Sequence, residues 1–221
     1  MKFVSILVEG QTEETVVKRV LSPHLNKYDV QLTPKIAATR LARGSSPGSK
    51  GGIVSYQRVK NDLIRLLRDS NVVMVTTMID MYGLDGKGFP GYSAGLSSKP
   101  IYDQADELET AFKNDVADKR FLPYFAIHEF EAVLFIHPGT IADEIPGLHH
   151  SVSGKLQAIK AAFESPEHIN HSKPPSKRIL ELIPRYSKVN HSFIIAQKIG
   201  LIAIRAACKH FDEWLTRLES L

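Results

Sequence analysis

Carboxylates recur in this chain where apolar runs stop. Glu9 follows Lys2-Phe3-Val4-Ser5-Ile6-Leu7-Val8, Asp80 follows the run from Asn71 to Ile79, and Glu129 and Glu131 follow Phe121 to Ile127. Glu13 lies on what the pattern makes the first turn of the helix after Glu9-Gly10. In an open α/β sheet, ligands gather in the crevice outside the carboxyl ends of the strands. Carboxylates collected there suit a hard divalent cation, Mg²⁺ or Mn²⁺, which takes oxygen ligands and keeps several waters. The bland account of Glu13 and Glu14 is complementation of a helix dipole, with Thr12 as the cap. Asp80 resists such an account, because an isolated buried carboxylate is costly and must reach solvent or meet a cation.

The third acidic stretch is His128-Glu129-Phe130-Glu131-Ala132-Val133-Leu134-Phe135. On a regular helix Glu131 would point about 200° away from Glu129, so the two share an ion only if the junction is irregular. His-Glu-x-Glu is not the His-Glu-x-x-His of zinc proteases, and His128 reads as a capping or supporting residue. His149, His150, His168, His171 and His191 lack ligand spacing and read as surface or loop residues. Acids on the Ile101–Asp118 segment (Asp103, Asp106, Glu107, Glu109, Asp115, Asp118) are too scattered for a metal site and read as a solvated face.

These groups need a scaffold, and the chain supplies a βα alternation. A strand to Val8 leads to a helix over Thr12–Asn26, kinked or ended by Pro23. Val30–Ala38 is an irregular or edge strand because of Pro34. A Gly- and Ser-rich loop over Arg40–Gly52 follows, without the order of a nucleotide-cradling P-loop. Ile53–Ser70 has helical period; Asn71–Ile79 is apolar throughout, as suits a strand covered on both faces. Met81–Pro100 is a long loop, Ile101–Asp118 a helix, and Phe121–Ile127 a short strand. From Pro138 the alternation stops. Helical candidates follow at Ile141–Ile145, Lys155–Glu164, Ser176–Ile183, Phe193–Leu201 and Ile202–Leu221, the last with a core stripe of Ile204, Cys208, Phe211, Trp214, Leu215 and Leu218. The expected division is an α/β unit over 1–137 and a helical extension over 138–221, packed on it or on a partner.

The 221 residues carry a net charge of +4 and one cysteine, Cys208, which excludes an internal disulfide or a cysteine zinc cluster. Cys208 is expected to be packed, and a reducing cytoplasm is the expected compartment. No apolar run approaches the roughly 20 residues of a membrane span. Eight basic residues between Lys35 and Arg68 face a single acid, Asp62. Of these, Arg40, Arg43, Lys50 and Arg58 are the candidates for holding a nucleic-acid backbone, against the plainer reading of a solvated face.

Acid-bearing strand ends at Glu9, Asp80 and His128-Glu129, with a Glu-Gly turn after the first strand, resemble the Toprim catalytic fold of topoisomerases, primases and related nucleases. Val8-Glu9-Gly10-Gln11-Thr12-Glu13, Asp80-x-Tyr82-Gly83, His128-Glu129-Phe130-Glu131-Ala132-x-Leu134-Phe135 and Cys208-x-x-Phe211-x-x-Trp214-Leu215 together resemble one branch, the family DUF4276, often encoded beside a phage-defence ATPase. The resemblance implies a Toprim-like, mainly parallel sheet flanked by helices, with Glu9 in acid/base work and Asp80 on Mg²⁺ or Mn²⁺. Tyr82 stands where the second member of a Toprim Asp-x-Asp pair would be, so Glu13, Glu129 or Glu131 must complete the ligand set, with Asp85 a weaker substitute. What it implies is a metal-dependent phosphodiesterase on DNA or RNA, with an ATPase partner in defence, His128 and Tyr82 supporting the ligands. The alternative from another class is a non-catalytic interaction or regulatory module for an ATPase.

Overall fold

The computed structural model describes residues 1–37, 55–93, 95–127, 129–149, 151–169 and 173–221. Its architecture is α/β, built on a parallel sheet. Strand β1 (Lys2–Val8) pairs with β2 (Val30–Ile36) on one side and β3 (Val72–Asp80) on the other; β3 continues to two short strands, β4 (Phe121–Leu122) and β5 (Phe125–Ala126). The central strands β1 and β3 are the most apolar runs, as burial on both faces requires. Ile6 and Val8 of β1 join one core, and Leu7 joins another on the opposite face. Parallel pairing brings the strand ends to one edge, where Val8 stands opposite Met78 and Asp80 opposite Ala126.

Two prolines reshape what periodicity alone suggests. The helix after β1 is not continuous: α1 (Gln11–Val16) passes through a π-helical turn (Val17–Leu21) into α2 (Ser22–Leu25) and a 3₁₀ turn (Asn26–Tyr28). Pro23 has no N–H for the carbonyl of Arg19, which instead accepts from Gln197 Nε2 at 2.8 Å. The expected strand over Phe121–Ile127 is likewise split at Pro123-Tyr124. Register is kept across the gap because the Thr77 hydroxyl donates to the Tyr124 carbonyl at 2.9 Å and accepts from its N–H at 2.8 Å. Pro34 lies on β2, which is an edge strand, where a missing donor is tolerated.

On one face of the sheet lie α3 (Tyr56–Leu67) and α4 (Ile101–Val116). The long connection from Met81 to Pro100 has its own anchorage: Leu84, Phe89 and Leu96 are buried, and the Phe89 ring meets Tyr56, Phe112 and Phe125 at 5.2–5.8 Å. The other face receives α5 (Pro138–Glu144), α6 (Ser151–Ala161), α7 (Pro175–Leu182), α8 (Lys188–Ile199), α9 (Leu201–Ala207) and α10 (Lys209–Glu219). The helix expected over Ile202–Leu221 is thus two, broken at Cys208, yet its whole apolar stripe is buried. Trp214 ties it to the sheet: the indole N–H donates to Thr76 Oγ1 at 2.9 Å and the ring stacks on Tyr124 at 4.3 Å.

Arg40, Arg43, Lys50, His128, His150 and His171 lie outside the described residues. Arg58 sits half-buried on α3, and its neighbour Lys60 is engaged by Asp115 at 2.8 Å. Among the described residues, no helix is long and apolar enough to cross a membrane.

Candidate functional site

The carboxyl edge of the sheet assembles the acids. Glu9 follows β1, and Gly10 then turns the chain into α1 with no side-chain cap; Thr12 is buried inside the first turn and is not the cap the sequence suggests. Glu14 faces outward to Lys18 at 2.7 Å, whereas Glu13 is buried. Gly10 is extended, and a Cβ there would stand 3.3 Å from Glu13 Oε2, so the turn sits close to the inward-facing carboxylate. Glu9 in turn reaches across to β3, its Oε2 accepting from the Asp80 N–H at 3.3 Å.

Asp80 ends β3 with Oδ1 buried and without a hydrogen-bond partner. Burial, then the charges of Glu13, Glu9, Glu131 and Glu129, push its carboxyl well above the usual aspartate range. The other four acids therefore all lie within electrostatic reach of Asp80. Burial and the nearby Glu9 raise Glu13 as well, against its backbone hydrogen bonds and Lys188.

Glu129 and Glu131 converge because the junction is irregular. Glu129 is extended (φ −138°, ψ 155°), and a 3₁₀ turn, not an α-helix, follows over Phe130–Ile136. Lys188 Nζ can then approach both, at 3.1 Å from Glu129 Oε1 and 3.5 Å from Glu131 Oε1. Glu129 also accepts from Tyr82 Oη and from the Ser176 N–H on the first turn of α7, each at 2.9 Å. Burial would raise its carboxyl, but Lys188 and these hydrogen bonds outweigh burial and hold it low. Glu131 has the opposite fate. Its Oε1 lacks a hydrogen bond, and burial with Glu129 and Glu13 beside it drives its carboxyl to about 7 in spite of Lys188.

Tyr82 is thus a hydrogen-bond donor to the cluster, while Asp85 is exposed in the following loop. Lys188 and Ser176 were missed by motif reading. Lys188 leaves a faint trace in sequence: it opens α8 directly after the cap Ser187, a position where the helix dipole disfavours a cation unless acids face it.

Carboxylate oxygens are the donors a hard divalent cation takes, but in this structure no three of these acids bring ligand atoms within 4.8 Å of one another. Two buried carboxylate oxygens without a hydrogen-bond partner, on Asp80 and Glu131, are oxygen ligands of the kind a hard ion takes. Beside them, Tyr82 also lines a cleft of about 860 Å³ whose wall includes Met81, Tyr92, Leu96, Tyr102 and His168.

A second group lies apart from these residues. Asp106 and Glu109 of α4 and the buried His210 of α10 each offer a ligand atom within 4.8 Å of the others, and together they could hold a metal ion. This corrects the reading of α4 as a wholly solvated acidic face. Glu109 turns inward, accepting from the Phe125 N–H at 2.8 Å and meeting His210 Nε2 at 2.9 Å. Burial alone would lower the His210 pKa, but the Glu109 carboxylate, with Glu167 and Asp106, raises it.

No functionally curated protein matches the sequence significantly. Among solved structures, the chain is similar to the C-terminal region of the OLD protein of Xanthomonas campestris pv. campestris. The form phased with platinum aligns at 17% identity over 97% of this chain and 94% of that one, with a TM-score of 0.43. The form phased with mercury aligns at 16% identity over 96% of each chain, with a TM-score of 0.42. The profile of a family described as a domain of unknown function, DUF4276, matches residues 8–219. With nearly its whole length matched, the chain belongs to the DUF4276 family.

Proposed function

We propose that the chain is a Toprim-like phosphodiesterase that hydrolyses DNA or RNA with Mg²⁺ or Mn²⁺. The observation that carries this reading is the convergence of Glu9, Glu13, Asp80, Glu129 and Glu131 at one sheet edge, with Asp80 Oδ1 and Glu131 Oε1 buried and without hydrogen-bond partners. Asp80, Glu131 and Glu13 would hold the ion after drawing closer than they stand here, with Glu129 fixed beside them by Tyr82, Ser176 and Lys188. Bound there, a divalent cation would supply Lewis-acid polarisation of the phosphoryl group and neutralise charge developing on the leaving oxygen. Glu9, held against the Asp80 backbone, takes the proton of the attacking water as one phosphorus–oxygen bond forms and another breaks. Arg40, Arg43, Lys50 and Arg58 hold the backbone of the substrate, and an ATPase acts as partner in a defence system.

Lys188 favours a second reading. An ammonium already seated between Glu129 and Glu131 is a built-in counter-charge, and Tyr82 stands at the position of a second aspartate. A chain that has exchanged its ion for a lysine would serve the ATPase as a non-catalytic regulatory module.

The deciding experiment compares wild type with Asp80→Asn and Glu9→Gln on single- and double-stranded DNA and on RNA, in Mg²⁺ and in Mn²⁺, with and without the ATPase. Each substitution is expected to lower cleavage by about 10²-fold or more, as loss of a positioned acid/base or ligand does. Cleavage undiminished in both variants removes hydrolysis from this site. Absence of cleavage under every condition, with ATPase binding intact, establishes the module.

A further inference from the structure

The cleft of about 860 Å³ beside the carboxylates has a composition that phosphate contact does not explain. Among the described residues that line it, none is lysine or arginine, whereas three are tyrosines, Tyr82, Tyr92 and Tyr102. A groove that tracks phosphates needs cations, and one that takes a base needs an aromatic face and room for a planar group. Its volume falls within the roughly 300–1,000 Å³ of ligand pockets. Tyr92 is 42% exposed, a large ring left facing solvent. Tyr102 is anchored through its hydroxyl to Glu167 at 3.0 Å, and its ring forms the cleft wall between His168 at 5.5 Å and the Lys209 ammonium, 5.9 Å from the ring centre.

The cleft is also joined to the acidic edge by covalent succession. Met81 and Tyr82, which line it, directly follow Asp80, and the Tyr82 hydroxyl touches Glu129. A group seated in the cleft therefore lies next to whatever the carboxylates act on.

We propose that this cleft takes an unpaired nucleobase of a single-stranded nucleic acid, stacked on Tyr92 or Tyr102, so that the adjoining phosphodiester is presented at the carboxylate cluster. This rests on the phosphodiesterase reading and adds to it a substrate class. A base still paired and stacked in a duplex cannot enter, so single strands, overhangs and loops are bound and intact duplex is not.

Binding is measured by fluorescence anisotropy in EDTA, where no bond is cut, with labelled oligothymidylate and oligouridylate of about 12 nucleotides, within the footprint of single-strand sites. A blunt duplex and an abasic oligomer of equal charge complete the probes. Oligomers with bases are expected to bind, and the abasic oligomer and the duplex to bind at least about fivefold more weakly, given the roughly 1–3 kcal/mol of one stacked base. Tyr92→Ala should remove that difference and Tyr92→Phe keep it, with Tyr102→Leu as a second variant and thermal melts to confirm folding. Abasic oligomer binding as tightly as oligothymidylate, or base-dependent binding unchanged in both Tyr92→Ala and Tyr102→Leu, overturns the proposal. The thymidylate and uridylate arms tell DNA from RNA. Base-dependent binding lost in Tyr92→Ala but without cleavage in any metal sinks the hydrolase while the cleft stands; cleavage with base-independent binding sinks the cleft alone.

Discussion

Lys188 Nζ stands 3.5 Å from Glu131 Oε1, a carboxylate oxygen that is buried and otherwise without a hydrogen bond. The two residues are 57 positions apart, and their meeting requires the 3₁₀ turn after Glu129 and the start of α8 to face each other. The same ammonium reaches Glu129 at 3.1 Å. Lys188→Met should therefore unbalance two buried acids at once. Removing one partner of a fully buried pair costs about 3–5 kcal/mol. Lys188 is 37% exposed, so solvent screening lowers the expected loss to about 1–3 kcal/mol. For a chain of this size that is a fall of several degrees in Tm, at about 2–4 °C per kcal/mol, read by thermal melts in EDTA. A Tm unchanged in EDTA would mean that the lysine carries none of the acids' charge.

The metal-free protein should lose stability as pH rises. Asp80, Glu13 and Glu131 hold protons more tightly folded than unfolded, all three raised first by burial. The folded chain thus binds more protons over this range, and stability falls with increasing pH. For Glu131 the contribution is complete below its ordinary 4.5 and is lost as pH passes through about 7. Glu129, held low by Lys188 and its hydrogen bonds in spite of burial, works in the opposite sense and loses its contribution only in acid. Chemical denaturation in EDTA between pH 5 and pH 8 reads the slope, which should flatten in Glu131→Gln. Mn²⁺ should restore stability on the alkaline side, since a cation binds the ionised carboxylates. Stability rising from pH 5 to pH 8 in EDTA would contradict the cluster's electrostatics.

Gly91 tests how the cleft wall is held. Its φ is +80°, and a Cβ there would meet Ala111 Cβ at 2.8 Å and the Glu107 carbonyl oxygen at 3.2 Å. Neither neighbour on α4 can yield as a flexible side chain would. Gly91→Ala should cost about 1–3 kcal/mol for the backbone conformation, with the contact adding to it. Next in sequence is Tyr92, so base-dependent binding should fall with stability. A melting temperature within 1 °C of wild type, below the roughly 2 °C expected of even one kcal/mol, would show that the loop absorbs the methyl group.

The strand ends were legible because a buried strand writes a long apolar run and an acid at its close is conspicuous. Glu9, Asp80 and Glu129 were found this way, and the structure brings them to one edge. Helix period likewise marked the stripe from Ile204 to Leu218. What periodicity could not encode is substitution for a lost backbone bond. Before Pro23 the Arg19 carbonyl accepts from Gln197, and across the split at Pro123 Thr77 bonds the Tyr124 backbone. Lys188 and His210 escaped for a related reason: each meets its acid across 57 to 101 residues, and nothing local to either specifies the partner. Glu109 was misread as solvated because acids on both sides of it along α4 are exposed, whereas it alone satisfies the N–H of Phe125.

Two groups could take a cation, and their chemistry differs enough to separate them. The cluster around Asp80 offers carboxylate oxygens only, which suits Mg²⁺, an ion that prefers oxygen and binds imidazole poorly. The group of Asp106, Glu109 and His210 includes a nitrogen ligand and suits Zn²⁺ or Mn²⁺. Its occupancy also has a competitor, because Glu109 is already engaged by the Phe125 N–H and by His210 Nε2, whose pKa this carboxylate raises against the effect of burial. A cation at either group must displace a proton; at His210 it must also displace a hydrogen bond, and at Glu131 it meets the Lys188 ammonium at 3.5 Å, whereas Asp80 Oδ1 has no hydrogen bond to give up. Mg²⁺ is thus expected to raise Tm in wild type and in His210→Gln by the same increment, and to leave Asp80→Asn unmoved. The gain should follow RT ln(1 + [L]/Kd), about 2.7 kcal/mol at a hundredfold excess over Kd. Zn²⁺ binding by calorimetry provides the converse arm, with any tight event expected to vanish in His210→Gln and persist in Asp80→Asn. A Mg²⁺-dependent gain that survives Asp80→Asn and disappears in His210→Gln would move the metal centre from the sheet edge to the α4–α10 contact.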